Sequence, residues 1–249
     1  MSDSGEMTFW DHLDVLRAII FRSALVLLLT AIGLFAFKDF LFDGLLLAPS
    51  KSDFFLYKWI GTDFSLSLVN IEMTAQFMIH MKMAFYCAIV LTCPYLIYQV
   101  WKFIAPALYE NEKKKVRNAF LFASGLFYFG VAVGFLLIFP LMLNFFADYQ
   151  VSSSVPNMFS LSSYISLLTS MVFTFGIVFE FPVIVALLSA IGILRRQTMQ
   201  KYRRHAICII VILAAVITPS GDPFSLAVVA IPLYLLYEFS VLICKSEAK

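Results

Sequence analysis

Apolar residues in this chain fall in long blocks, not in the alternation of a half-buried strand. Six blocks stand out: Ala18–Phe37, Ala75–Val100, Asn118–Phe139, Tyr164–Ile193, Ala206–Thr218 and Phe224–Ile243. As helices, the first four are long enough to cross a hydrocarbon layer about 30 Å thick. The fifth reaches only about 20 Å at ~1.5 Å per residue, and the sixth has a similar reach before Glu238. Between them lies Thr218-Pro219-Ser220-Gly221-Asp222-Pro223, a strong turn signal. The last two blocks are therefore a short helical hairpin that either thins the bilayer locally or is re-entrant. The pattern predicts an all-α integral membrane protein with six transmembrane helices, the last two short, in a single membrane-embedded domain over 1–249.

Basic residues orient the spans. With both termini cytoplasmic, fourteen Lys and Arg residues fall on the inner side, three (Lys38, Lys51, Lys58) on the outer side, and Lys82 within the second span. That asymmetry is the positive-inside signature. It gives a multi-pass chain with both ends inside; a plasma (inner) membrane is the expected location. The first 17 residues carry four acids, and the block after them is longer than a signal-peptide core, so it should remain as the first span. The outer connection from Lys38 to Asn70 holds two aromatic clusters, and Phe40–Leu47 reads as a short amphipathic helix ended by Ala48-Pro49. With the serine-rich loop from Asp148 to Ser163, it suggests a cap over the bundle.

Composition narrows the function. The chain is 61% apolar and 14% charged, with a net charge of +2; soluble domains are nearer half apolar and a quarter charged. No basic, aromatic-interleaved patch suggests nucleic acid. Cys87, Cys93, Cys208 and Cys244 lack metal-ligand spacing and read as small apolar residues. No Ser-His-Asp pattern, HExxH or phosphate loop is present, so no enzyme and no cofactor is expected.

Against this background the polar exceptions matter. Glu180 is the single acid in the fourth block, directly before Phe181-Pro182. A charge near a bilayer centre costs at least ~2.5 kcal/mol, so such residues are functional candidates. Protonated, Glu180 could hydrogen-bond a partner's helix; otherwise it bridges to Ser or Thr in a neighbouring span. Lys82, Asp222, Glu238 and Pro49 join it as candidate partner-docking or intramembrane polar positions. Pro94, Pro140, Pro182 and Pro232 each remove a helical hydrogen bond and should bend their helices.

Two inner segments carry acids. Trp10-Asp11-His12-Leu13-Asp14-Val15-Leu16-Arg17 reads as an amphipathic helix at the inner headgroups, with Asp11 and Asp14 on one face. Tyr98 to Lys115 runs from an aromatic belt through Pro106 to Glu110 and Glu112, then to three lysines.

His12-Leu13 with Leu16-Arg17 resembles the HLxELR start of the TatC family, the core receptor of twin-arginine translocation. Tyr98 to Glu112 resembles its first cytoplasmic loop. Phe175-Gly176, Phe179-Glu180 and Pro182-Val183 are similar to its fourth span, and Thr218-Pro219, Asp222, Ile231-Pro232 and Glu238 to its last hairpin. Lys82 stands twelve residues before Pro94, as a lysine does in that family's second span. The resemblance covers nearly the whole chain in order. It implies a receptor for signal peptides bearing a paired arginine, acting with TatA-type and TatB-type single-span subunits, driven by the proton-motive force and associating with itself. It assigns Glu112 and Phe103 to the signal-peptide site, with Leu16 and Arg17 in the matching N-terminal motif.

Two positions depart from the pattern. The glutamate of HLxELR is Val15 here, so either Asp11, Asp14 or Glu110 completes a carboxylate pair or Glu112 acts nearly alone. A glutamine common after the hairpin aspartate is Leu226. The alternative from another class is a proton-coupled small-solute transporter using Glu180 and Lys82.

Overall fold

The computed structural model describes residues 9–61, 64–104, 110–152, 154, 157–190, 192–218 and 221–244, with side chains described for these except at 9–12, 60, 101, 104, 110–119 and 190. The chain folds as two compact units, one of Met1–Lys38 with His80–Ser124, the other of Asp39–Ile79 with Gly125–Lys249.

Long apolar runs form long helices because only a helix satisfies every backbone polar group within one segment. α1 is Phe9–Ala36, α3 Ala75–Ile104 and α4 Glu110–Val133. α5 (Phe139–Asp148), α6 (Leu161–Val178), α7 (Phe181–Ala190), α9 (Arg203–Ile217) and α10 (Pro223–Ile243) complete the apolar set. Among the described residues, five segments are long and apolar enough to span a membrane: Leu13–Ala36, Ala75–Val100, Phe120–Asp148, Leu161–Ser189 and Pro223–Ile243. α9, at 15 residues, is the short member of the final hairpin. The chain is an all-α, multi-pass membrane protein.

Boundaries differ from the sequence reading where proline acts. The third span does not end at Phe139. A π-helical turn at Gly134–Ile138 leads into α5, with Pro140 in its first turn, where a missing N–H is tolerated. The fourth block is not one helix: α6 stops at Val178, Phe179–Glu180 form a turn, and α7 begins with Pro182 in its first turn. Pro94 and Pro232 are carried inside α3 and α10.

In the second unit, glycines set the packing of the third and fourth spans. A Cβ on Gly130 would collide with the carbonyl of Phe175 and the side chain of Phe179. One on Gly134 would press on Met171 O at 3.0 Å, and one on Gly176 on Phe127 at 3.0 Å. Gly130 and Gly134, four apart, form the small-xxx-small pattern that lets membrane helices approach closely. Phe139, Met142, Met171 and Phe175 fill the core beside this seam.

The outer loops belong to the same unit. Residues Phe40–Leu46 form a π-helical turn followed by a 3-10 turn at Ala48–Ser50, then α2 at Phe55–Ile60. Tyr57 is buried and its hydroxyl donates to Pro49 O (2.8 Å); burial pushes that hydroxyl's pKa well up. The Tyr164 hydroxyl donates to Leu46 O (2.8 Å), tying the first outer loop to α6. β1 (Leu68–Val69) and β2 (Phe159–Ser160) pair in parallel, Leu68 with Phe159 and Val69 with Ser160, joining the two loops.

Candidate functional site

The first unit holds α1 together with most of α3 and the start of α4, segments far from α1 in sequence. On α1, Asp14 and Arg17 are exposed, and Val15 and Leu16 half-buried. Leu13, Asp14, Leu16, Arg17, Ile20 and Phe21 line an open trough of about 830 Å³. The trough sets apolar side chains beside one exposed carboxylate, Asp14, and one exposed guanidinium, Arg17.

At the inner end of α3, Phe103 is half-buried and Lys102 exposed. One helical turn before Phe103, on the same face, lies Gln99, which is 6% exposed. Its amide Nε2 donates to the Tyr95 hydroxyl, while its Oε1 is buried with no hydrogen-bond partner among the described residues. An unsatisfied buried carbonyl costs about 1–3 kcal/mol. Sequence reasoning passed over Gln99; a lone amide between Tyr98 and Trp101, inside an apolar run, was the available signal. Asp11 lies on α1, and Glu110 and Glu112 lie in the first turn of α4, but their side chains are outside the described residues.

The second unit holds most of the intramembrane polar positions. Glu180 occupies the turn between α6 and α7. Its N–H donates to Ile177 O (3.0 Å), and its carbonyl accepts from the N–H of Val183 (3.0 Å) and Ile184 (3.1 Å). Its side-chain Oε1 is buried with no hydrogen-bond partner among the described residues, so that oxygen makes no bridge to a Ser or Thr. The proline two residues on explains the turn, and the turn fixes where the carboxyl sits.

Glu238 is anchored on both oxygens. Arg203 Nη2 donates to Oε2 at 2.7 Å, and the Tyr234 hydroxyl donates to Oε1 at 3.0 Å. The pair joins the inner ends of α9 and α10, and Arg203 is a partner the sequence reading did not assign. Tyr237 donates to Met199 O (2.7 Å), which ties α10 to α8 (Arg196–Lys201). Asp222 caps α10, accepting from the Ser225 N–H at 2.8 Å. Leu226 is half-buried one turn later. Pro49 is buried and serves the cap through its carbonyl. Lys82, in the first unit, is exposed on α3.

A family profile described as Sec-independent protein translocase protein (TatC) matches residues 11–232. A protein of that description from Blattabacterium sp. subsp. Periplaneta americana is 35% identical, over 97% of this chain and 96% of its own. A Deinococcus radiodurans protein of that description is 32% identical over 95% of this chain and 85% of its own. The chloroplastic counterpart from Pisum sativum is 34% identical over 95% of this chain and 64% of its own. A crystal structure of a twin arginine translocase receptor, TatC, in the detergent DDM superposes with a TM-score of 0.77 at 28% identity, covering 94% of this chain and 99% of that one.

Proposed function

This chain belongs to the TatC family of Sec-independent protein translocase proteins, and from that premise we propose that it is the subunit that receives the paired-arginine leader of folded precursors at the inner membrane surface. A translocase subunit is a transport protein and not an enzyme. The finer roles are our reading of the residues.

The observation that carries the proposal is the composition of the first unit. It combines the helix bearing Asp14 and its apolar trough with the end of α3 bearing Phe103 and the start of α4 bearing Glu112. Arginine meets carboxylate through two parallel hydrogen bonds, a geometry that lysine cannot copy. An exposed pair of this kind contributes only about 0–1 kcal/mol. Useful affinity therefore requires partial desolvation by Phe103 and burial of the leader's apolar segment. Glu112 takes one guanidinium, and Asp14, Asp11 or Glu110 takes the other in place of the glutamate that Val15 lacks. The buried Gln99 oxygen is a further neutral acceptor near Phe103. Glu180, Asp222, Glu238, Lys82 and Pro49 serve docking of TatA-type and TatB-type subunits or the local folds that present it. The proton-motive force drives export, and copies of the chain associate. Membership of this family does not favour solute transport by Glu180 and Lys82.

The test is capture of a twin-arginine precursor by the purified protein beside a twin-lysine control. Retention of the first and loss of the second is expected; equal retention would sink the reading.

A further inference from the structure

The outer loops carry an apolar surface that the core does not use. α2 is apolar on two faces: Leu56 and Tyr57 are buried, while Phe55 and Trp59 are exposed, Trp59 to 81%. A helix with apolar side chains on both its buried and its exposed faces, interrupted by Lys58, suits a membrane boundary better than water. The same character recurs around the β1–β2 ladder. Met158 immediately precedes β2; Ile71 and Met73 follow β1, with Met73 99% exposed. These residues flank Ala75 and Leu161, the points where α3 and α6 begin. They therefore stand at the depth where two spans enter the bilayer, which is the depth of the outer headgroups. Lysines accompany them: Lys58 pairs with Asp53 at 2.9 Å, and Lys51 Nζ donates to Asp43 O at 2.9 Å, both at the surface.

Aromatic rings and lysines beside an apolar face are the composition of a segment lying in the membrane interface. A six-residue helix offers no groove for a partner helix, and Phe54, just before it, meets Phe135 of the third span edge-on with ring centroids 6.3 Å apart. We propose that α2 and the adjoining loop ends are an interfacial collar, with Trp59 and Phe55 seated at the headgroup–acyl boundary of the outer leaflet. Phospholipid is the occupant of this surface, and the cap is held to the bilayer from above as well as by its covalent links to the spans. This inference is independent of leader recognition.

Tryptophan occurs three times, at Trp10, Trp59 and Trp101. Trp10→Phe with Trp101→Phe leaves Trp59 as the single emitter in the full chain. The protein is reconstituted into phosphatidylcholine vesicles with acyl chains brominated near the head or near the tail. The expected result is greater loss of emission with bromine near the head than near the tail, together with shielding from aqueous iodide. Full access to iodide without quenching by either lipid overturns the proposal. Shielding from iodide and both lipids also overturns it, because protein would then cover Trp59. If the double variant does not fold, the difference in bromolipid quenching between the native chain and Trp59→Phe reads the same quantity, and a zero difference overturns the proposal.

Discussion

The first helix and the glycine seam are both apolar membrane segments, yet they are built on opposite terms. None of the first span's most apolar window is buried in protein, whereas 44% of that window is buried in each of the third and fourth spans. α1 presents Ile20, Phe21, Leu25, Leu28, Leu29 and Ile32 outward. α4 and α6 instead approach until a single methyl group would not fit. Lipid is as apolar as leucine, so exposed leucines in a bilayer cost little, and close packing must come from shape. On the function proposed above, recognition falls on a helix that packing within the protein scarcely constrains, while the third and fourth spans are held by close contact.

The largest effect expected from this contrast is at glycine. Gly130→Leu should abolish or severely reduce recovery of folded protein, because overpacking costs about 1–3 kcal/mol or more where the neighbour is backbone, and here it is the Phe175 carbonyl. Gly33→Leu on α1, where an added Cβ meets nothing within 4 Å, should leave folding unchanged. Thermal stability in detergent by size-exclusion recovery measures both; equal behaviour of the two variants would break the comparison.

A smaller effect is expected at the hairpin. Glu238→Gln removes a charge from a pair whose side chains are 44% and 28% exposed for Arg203 and Glu238. Solvent screening limits the loss to about 1 kcal/mol or less. The melting temperature of the reconstituted protein should fall slightly, and Arg203→Gln added to it should cost little more. Additive losses would show that the two residues act separately.

The smallest effect lies in the outer loop. The Lys58 ammonium beside Asp53 holds that carboxyl's pKa below the usual range, chiefly through their hydrogen bond. A depressed folded pKa contributes stability above the ordinary carboxylate value of about 3.9, lost as pH falls through the lower folded value. Lys58→Met should return Asp53 to ordinary titration by carbon NMR with no change in fold. An unmoved titration would show that the pair does not form in solution.

Much of this architecture was legible in the sequence, for identifiable reasons. Long apolar blocks and the lysine–arginine asymmetry are one-dimensional properties, so the all-α, multi-pass class followed directly. Pro182 marked the place where the fourth block breaks, but a proline in a helix's first turn is harmless, so Pro140 did not end the third span. The Gly130–Gly134 pair was in plain view, yet its meaning depends on Phe175 and Phe179 standing opposite. The same holds for Glu238, whose partner Arg203 lies 35 residues away. Asp222 read as a docking candidate, but its carboxyl also has the local work of capping α10.

The central claim is that carboxylates of the first unit recognise a pair of guanidiniums. Its most direct measurement is the affinity of a twin-arginine leader peptide for the purified protein, for Glu112→Gln and for Val15→Glu. A hydrogen bond to a charged group contributes about 1.5–3 kcal/mol, so Glu112→Gln should weaken binding by roughly 10- to 100-fold while the protein stays folded. Val15→Glu should match or exceed the native affinity. Undiminished binding by Glu112→Gln would contradict the account.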